Sequence, residues 1–342
     1  MTAVFCRAAA DRKAATWEGL LAPFAHLEFA VSDAAKGIAA AVAQRGAARR
    51  DDPSAPPLEH GRDVFHTARE AHRVLARHWR GAEAIGEKAE GADAELALAK
   101  RQGIDARGPA HTARAAWRRA TAAFEEAQRL ESAWGRAAAA LELFDADGRL
   151  NNRSRASAEI AAVWKDLPGA AWSKVRNFLT DPRSLTFRDR MHRRLEAAEP
   201  RPGWREAMAW RWWLRHHRPV PSDRLTEWLR GVARGRERDA EERASYQRVA
   251  AVLGDTVRAS SAVECMNSVL RMQQSRHRRM TQPMLDLKRL YGNCRPFRSG
   301  PRKDVCPYRS LGLELPTYDF WELLHADPAQ LAQQLSTQGN AE

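Results

Sequence analysis

Residues 64–103 and 110–145 constrain this chain more than any other feature. Both stretches are rich in Ala, Glu, Arg and Leu, and neither contains a proline. Alanine and straight-chain residues lose the least conformational freedom in a helix, so each stretch predicts one long helix. Trp117 and Phe124 stand seven apart, as do Trp134 and Leu141, so each pair shares a helical face. A turn over residues 103–109, ending in Pro109, joins the two into an antiparallel hairpin. Gly81, Gly86 and Gly91 weaken the first helix and mark where it would break. Further helices are expected over 153–163, 168–178, 185–198 and 203–215, the last carrying Trp204, Met208, Trp212 and Trp213. The helical pattern continues to about residue 258, with Pro219 and Pro221 marking a break. The aromatic stripes read as core packing in preference to base-stacking platforms.

The chain ahead of the hairpin has a different pattern. Residues 27–31 (LEFAV) form a compact apolar run that suits a buried strand. It ends at Ser32-Asp33, either of which can cap a helix expected over 34–44. A loop rich in Pro, Asp and Arg over 45–57 leads to a second short strand over 58–62. The opening MTAVFCRAAA reads as another short strand, followed by a helix over 14–21. Strand, helix, strand, helix is an α/β signature. The expected fold class is therefore α/β at the start, with a large all-helical insertion, and predominantly α overall. The organisation divides into residues 1–66, a helical region over 67–258, and residues 259–342. The last holds helices over 261–275 and 282–290, then the irregular basic strap RPFRSGPRKDVCPYRSLGLELP.

Charge narrows the partner. The chain has 56 Lys and Arg against 43 Asp and Glu, a formal net charge of +13. Such an excess concentrates polyanions near the surface, and nucleic acid is the usual one, because neutralised phosphates release counterions. Between Arg258 and Arg309 twelve basic residues face three acids, Glu264, Asp286 and Asp304. Arg276, Arg278, Arg279, Lys288, Arg298, Arg302 and Lys303 in this region are the candidate DNA contacts. Cys6, Cys265, Cys294 and Cys306 include no CxxC pair, which argues against a zinc site or a disulfide framework and predicts a reducing, cytoplasmic setting. No window is apolar enough for a leader or a membrane span, so no membrane partner is expected.

Three places carry residues suited to chemistry. Asp33 ends a strand, where open α/β sheets present ligand-binding groups, although capping the next helix is the commoner role for an Asp so placed. Asp63 and His66 occupy the second strand-to-helix junction in GRDVFHTA; His66 can orient a carboxylate, contact a phosphate, or be a satisfied histidine at a helix start. Glu264 in SSAVECMNSVLR shares a helical face with Asn267 and Arg271 and is either a salt-bridge partner or a metal-binding acid. Carboxylates within a basic surface suit metal-dependent phosphoryl transfer, in which acids hold divalent ions and cations hold the DNA backbone. No GxSxG or comparable element supports a serine or cysteine hydrolase.

These segments resemble DDE transposases of the Mutator-like and related bacterial insertion-sequence groups. LEFAVSDAAKGIAAAV resembles the segment with the second catalytic Asp, at Asp33. RDVFH is similar to the D-x-F-H or C-x-x-H element that follows, at Asp63 and His66. SSAVECMNSVLRMQQSRHRRM resembles the helix with the third acid, matching Glu264, Asn267 and Arg271. LYGNCRPFRSGPRKDVCPYRSLGL looks like the end of such proteins. The resemblance implies an RNase H-like core interrupted by a helical insertion, with Mg²⁺ or Mn²⁺ held by Asp33 and Glu264. It implies DNA partners, both transposon ends and target, and a homo-oligomer on DNA. It also implies a first catalytic Asp on an earlier strand, for which the chain offers no candidate, Asp11 matching a non-catalytic D-R pair. The expectation is thus a C-terminal portion of such a transposase, nearly inactive in strand cleavage by itself, with Asp33 and Glu264 facing each other and His66 behind them. The alternative is a non-catalytic, basic helical nucleic-acid-binding or adaptor protein, which needs no paired carboxylates.

Overall fold

The computed structural model describes residues 11, 13–24, 26–33, 35–50, 56–216, 240–258, 281–298, 303–310 and 312–339. It is predominantly helical, with a single two-stranded sheet among the described residues. The chain divides into two compact units: residues 1–24, 36–41 and 260–342 form one, and 25–35 with 42–259 the other.

The larger unit contains the sheet. Strands β1 (Phe29–Ser32) and β2 (Glu59–Arg62) pair in parallel, with Phe29 opposite Glu59 and Ser32 opposite Arg62. Helix α2 (Lys36–Ala48) lies between them in sequence, and α1 (Ala14–Leu21) precedes both. Gly61 is needed for the sheet's packing, since a Cβ there would meet Phe29 Cζ at 2.7 Å. The Arg190 guanidinium lies over the same Phe29 ring, 5.5 Å from its centroid. Arg190 also pairs with Glu28, and Arg193 pairs with Glu59. These contacts hold the strand pair to a later helix by charge as well as by apolar burial.

The hairpin is α3 (Val64–Arg101) and α4 (Arg107–Leu141), of 38 and 35 residues. At ~1.5 Å rise per residue, α3 is about 57 Å long. It runs unbroken through Gly81, Gly86 and Gly91, contrary to the expected weakness. The reason is tertiary. Ala82, Ala89, Ala92 and Ala99 are buried on α3, and Ala113, Ala120 and Ala127 on α4. Small side chains let the two helices approach closely along a long seam. Gly86 is part of that seam, because a Cβ there would come within 3.2 Å of Phe124. The turn residue Gly103 has φ +69, which glycine adopts without steric cost.

After the hairpin come α5 (Arg153–Val163), α6 (Ser173–Leu179), α7 (Thr186–Ala198), α8 (Pro202–His216) and α9 (Ala240–Gly254). The helix expected over 168–178 begins late: Gly169 at φ +83 turns the chain into a 3-10 turn, Ala170–Trp172, ahead of α6. Two clusters form the core. The first packs Val74, Leu130 and Trp134 of the hairpin base with Ile160 of α5, Trp172 and Phe178. The second packs Phe144 with Met191 and Leu195 of α7, Met208 of α8 and Val249 of α9. Of the aromatic residues in the expected stripes, Trp134 is buried in this core, and Phe124, Trp204, Trp212 and Trp213 are half-buried. Trp117 is an exception at 40% exposed.

The other unit includes α10 (Gln282–Cys294), α11 (Pro307–Ser310), α12 (Phe320–His325) and α13 (Pro328–Gly339). The helix expected over 261–275 and the strand expected in the first ten residues lie outside the described residues. Among the described residues, no helix is long and apolar enough to cross a membrane.

Candidate functional site

The parallel register builds the site. Ser32 and Arg62 are the last paired residues of β1 and β2, so Asp33 and Asp63 follow them side by side at the C-terminal edge of the sheet. The Asp63 amide donates to Ser32 O at 2.8 Å, continuing the ladder one step past the strands. Ligand-binding groups of open parallel sheets gather at this edge.

The two acids differ in what they do. Asp63 is 1% exposed and caps α3. Its Oδ1 accepts the amides of Phe65 and His66 at 2.8 and 3.3 Å, and its Oδ2 lies 2.8 Å from His66 Nδ1. Asp63 therefore satisfies a helix start and orients His66, whose side chain is 31% exposed. Asp33 is exposed, and its Oδ1 accepts the Ala35 amide at 3.1 Å in a local turn. It does not cap α2, which begins after Ala35 with no side-chain cap bond. Of the two uses open to Asp33 in the sequence, the helix cap is not realised here; Asp63 is the acid that caps.

A second group of side chains gathers on β2 next to this edge, and the sequence reading missed all of it. On β2, His60 and Arg62 flank Gly61. Ser32 Oγ lies 2.8 Å from His60 Nε2. Arg62 donates to Asn177 O at 3.0 Å and to Asp181 Oδ2 at 3.3 Å, with its guanidinium 5.2 Å from the Phe178 ring centroid. Asp181 in turn receives Arg183 through Nε at 3.0 Å and Nη2 at 2.6 Å. Asp181, Arg183 and Asn177 come from beyond the hairpin, more than a hundred residues after β2. The one signal for Asp181 in the sequence is a capping residue ahead of Pro182.

Electrostatics follow from this packing. Burial pushes the His60 imidazole down from its ordinary 6.5, reinforced by Arg183 and opposed by Asp181. Burial also lowers Arg62, offset in part by Asp181 and Asp33. Burial alone would raise Asp181, but hydrogen bonds from Arg183 and the charges of Arg183 and Arg62 outweigh it, and its carboxyl sits below the usual range. The edge thus presents an exposed carboxylate beside a half-buried arginine, an Asp–His pair, and a histidine kept neutral. Ser32 is 7% exposed, and the half-buried His60 ring lies against its hydroxyl.

Glu264, Asn267, Arg271, Arg276, Arg278, Arg279 and Arg302 lie outside the described residues. Lys288 is half-buried on α10. Arg298 and Lys303 are exposed, and beside them Phe297 N donates to Val305 O at 3.1 Å while Phe297 O accepts from Asp304 N at 2.9 Å. Among the described residues, no three His, Cys, Asp or Glu side chains come together as a metal site. No protein-family model, no curated protein and no solved structure matches the chain.

Proposed function

We propose that the chain is a DNA-acting protein of the DDE transposase type, with Asp33 and Glu264 as its strand-cleavage acids and an RNase H-like core around β1 and β2. The observation that carries this reading is the edge of the parallel pair, where Asp33 and Asp63 follow residues paired in register. The hairpin that starts at Val64, directly after Asp63, lies between Asp33 and Glu264 in sequence, as a helical insertion between the catalytic segments would. The net charge of +13 supports DNA as the partner.

A divalent ion is the cofactor that this reading implies. Asp33 is a suitable oxygen donor for Mg²⁺, being exposed and hydrogen-bonded locally through Oδ1. Asp63 is not, since both of its oxygens are engaged by α3 and His66. The described donors do not by themselves make up a metal site, and no chemical step is assigned to one. His66 is a positioning residue in this scheme, held by Asp63 beside the edge.

The second reading, a basic helical nucleic-acid-binding protein without catalysis, is served by the net charge of +13 alone and needs no paired carboxylates. One experiment separates the two. Mn²⁺ binding, followed by the loss of the free-ion paramagnetic signal, is measured for the wild type, Asp33→Asn and Glu264→Gln, alongside duplex binding in chelator. The transposase reading expects each substitution to weaken Mn²⁺ binding at least several-fold while duplex binding without metal stays the same. Equal Mn²⁺ binding by all three proteins would sink it and leave the adaptor.

A further inference from the structure

A cavity of about 660 Å³ opens in the larger unit, away from the acidic edge in sequence, between the turn over 148–152, α7 and the start of α8. Its volume falls within the about 300–1,000 Å³ typical of small-ligand sites. Arg149, Arg155 and Arg205 line it, with Glu206 as the acid among its walls. Arg149 is 72% exposed and approaches a carboxylate, Asp147, only at 4.0 Å. Arg155 is anchored by Asp145 at 2.7 Å, and Arg205 by Glu199 O at 3.2 Å. Two guanidiniums are therefore fixed in place and a third is able to swing. The cavity is poised for an anion.

The other walls suit an aromatic ring. Trp210 lines the cavity and is 37% exposed. Other tryptophans of α8 are engaged: Trp212 stacks on Phe144 and His216, and Trp213 packs on Gly148. Trp210 makes no ring contact among the described residues. An exposed indole without a partner, beside arginines, is the arrangement on which nucleobases stack. His192 adds polarity: its Nε2 lies 2.8 Å from Asn151 O, a carbonyl that can only accept, so Nε2 carries a hydrogen and donates to it.

From this geometry we infer that the cavity is a nucleotide-binding site, taking one unpaired nucleotide of a single strand with its base against Trp210 and its phosphate among Arg149, Arg155 and Arg205. A base held in a duplex cannot present its face in this way, so the site selects single-stranded over paired DNA. The inference stands apart from the carboxylate edge, and its failure would leave the Mn²⁺ result untouched.

The test uses the full chain and a 5′-labelled twelve-residue oligothymidylate, with binding read by fluorescence anisotropy. Trp210→Ala and, separately, Arg149→Glu are each expected to weaken single-strand binding roughly fivefold or more, and Trp210→Phe to restore most of the loss. Binding of a hairpin duplex of equal charge is expected to change less than twofold with Trp210→Ala. Circular dichroism melts establish that each variant folds; Arg149 lies in an exposed turn, so its variant keeps the test open if α8 does not tolerate loss of Trp210. Competition by thymidine monophosphate at concentrations where inorganic phosphate has no effect would support the same pocket with a free nucleotide as its natural source. Single-strand binding unchanged in both Trp210→Ala and Arg149→Glu would overturn the inference.

Discussion

At the scale of single residues, buried charge determines how this protein responds to pH and substitution. His60 is held below its ordinary 6.5 by burial and Arg183, so the unfolded chain binds its proton more readily than the folded one. Stability therefore rises with pH through this group and falls as pH drops below about 6.5. Thermal melts between pH 7.5 and 5 should show that decline, and His60→Gln should make it shallower. A pH dependence identical in both proteins would place the titration elsewhere. Glu199 is the complementary case. It is fully buried and receives Arg201 through Nε at 2.7 Å, Ser245 Oγ at 2.6 Å and Arg248 at 3.0 Å. The hydrogen bonds from Arg201 and Ser245 hold its carboxyl far below the usual range against the opposing effect of burial. Glu199→Gln keeps the shape but removes the charge that Arg201 and Arg248 share, leaving Arg201 with Glu241 at 2.6 Å, and melting should drop clearly. The drop should shrink as pH falls below the ordinary carboxyl value of 4.5, because the stability contributed by charged Glu199 is lost on the way down to its lowered folded value.

At the scale of elements, the hairpin is where local preference and packing can be separated. Gly91 is exposed within α3, and a Cβ there would meet nothing within 4 Å. Gly91→Ala should raise stability by about 0.5–1 kcal/mol, the ordinary gain from removing backbone freedom in a helix. Gly86→Ala has the same intrinsic gain but brings its Cβ within 3.2 Å of Phe124 Cε2. Its net effect should be smaller than that of Gly91→Ala or opposite in sign. Chemical denaturation of both variants checks the pair, and equal gains would mean that the seam at Gly86 is loose. Gly148 is a stricter case, with φ +77 and a Cβ position 2.5 Å from Trp213 Cε3. Gly148→Ala should destabilise by about 1–3 kcal/mol through backbone strain alone, before the contact with Trp213 is added. That substitution would also disturb the wall of the nucleotide cavity.

At the scale of the whole molecule, the net charge of +13 is the property most accessible to experiment. Duplex affinity should fall steeply between about 50 and 200 mM salt, because each phosphate contact releases counterions. Replacing Arg276, Arg278 and Arg279 together with Ala should weaken binding to every duplex sequence alike. It should also flatten the logarithmic salt slope by up to about three units. A slope unchanged by the triple substitution would make these arginines a solvated face and move the DNA contacts elsewhere.

What was legible in the sequence was whatever repeats locally. Two proline-free stretches with seven-residue aromatic spacing determine the hairpin, because helical periodicity is fixed by neighbours three and four positions away. The apolar run before Ser32 determines β1, and the aspartates after each strand identify the edge where chemistry would gather. Tertiary structure decided the rest. Asp33 and Asp63 are alike in sequence position, each at a strand end, yet one is exposed and the other is enclosed as a helix cap. Arg62 meets Asp181 across 119 positions, and Arg149 reaches the cavity beside Trp210 only after α5, α6 and α7 have folded back. The physical reason is that a helix is specified by its own near neighbours, whereas ion pairs and cavities depend on where distant segments pass each other. No spacing along the chain encodes that geometry.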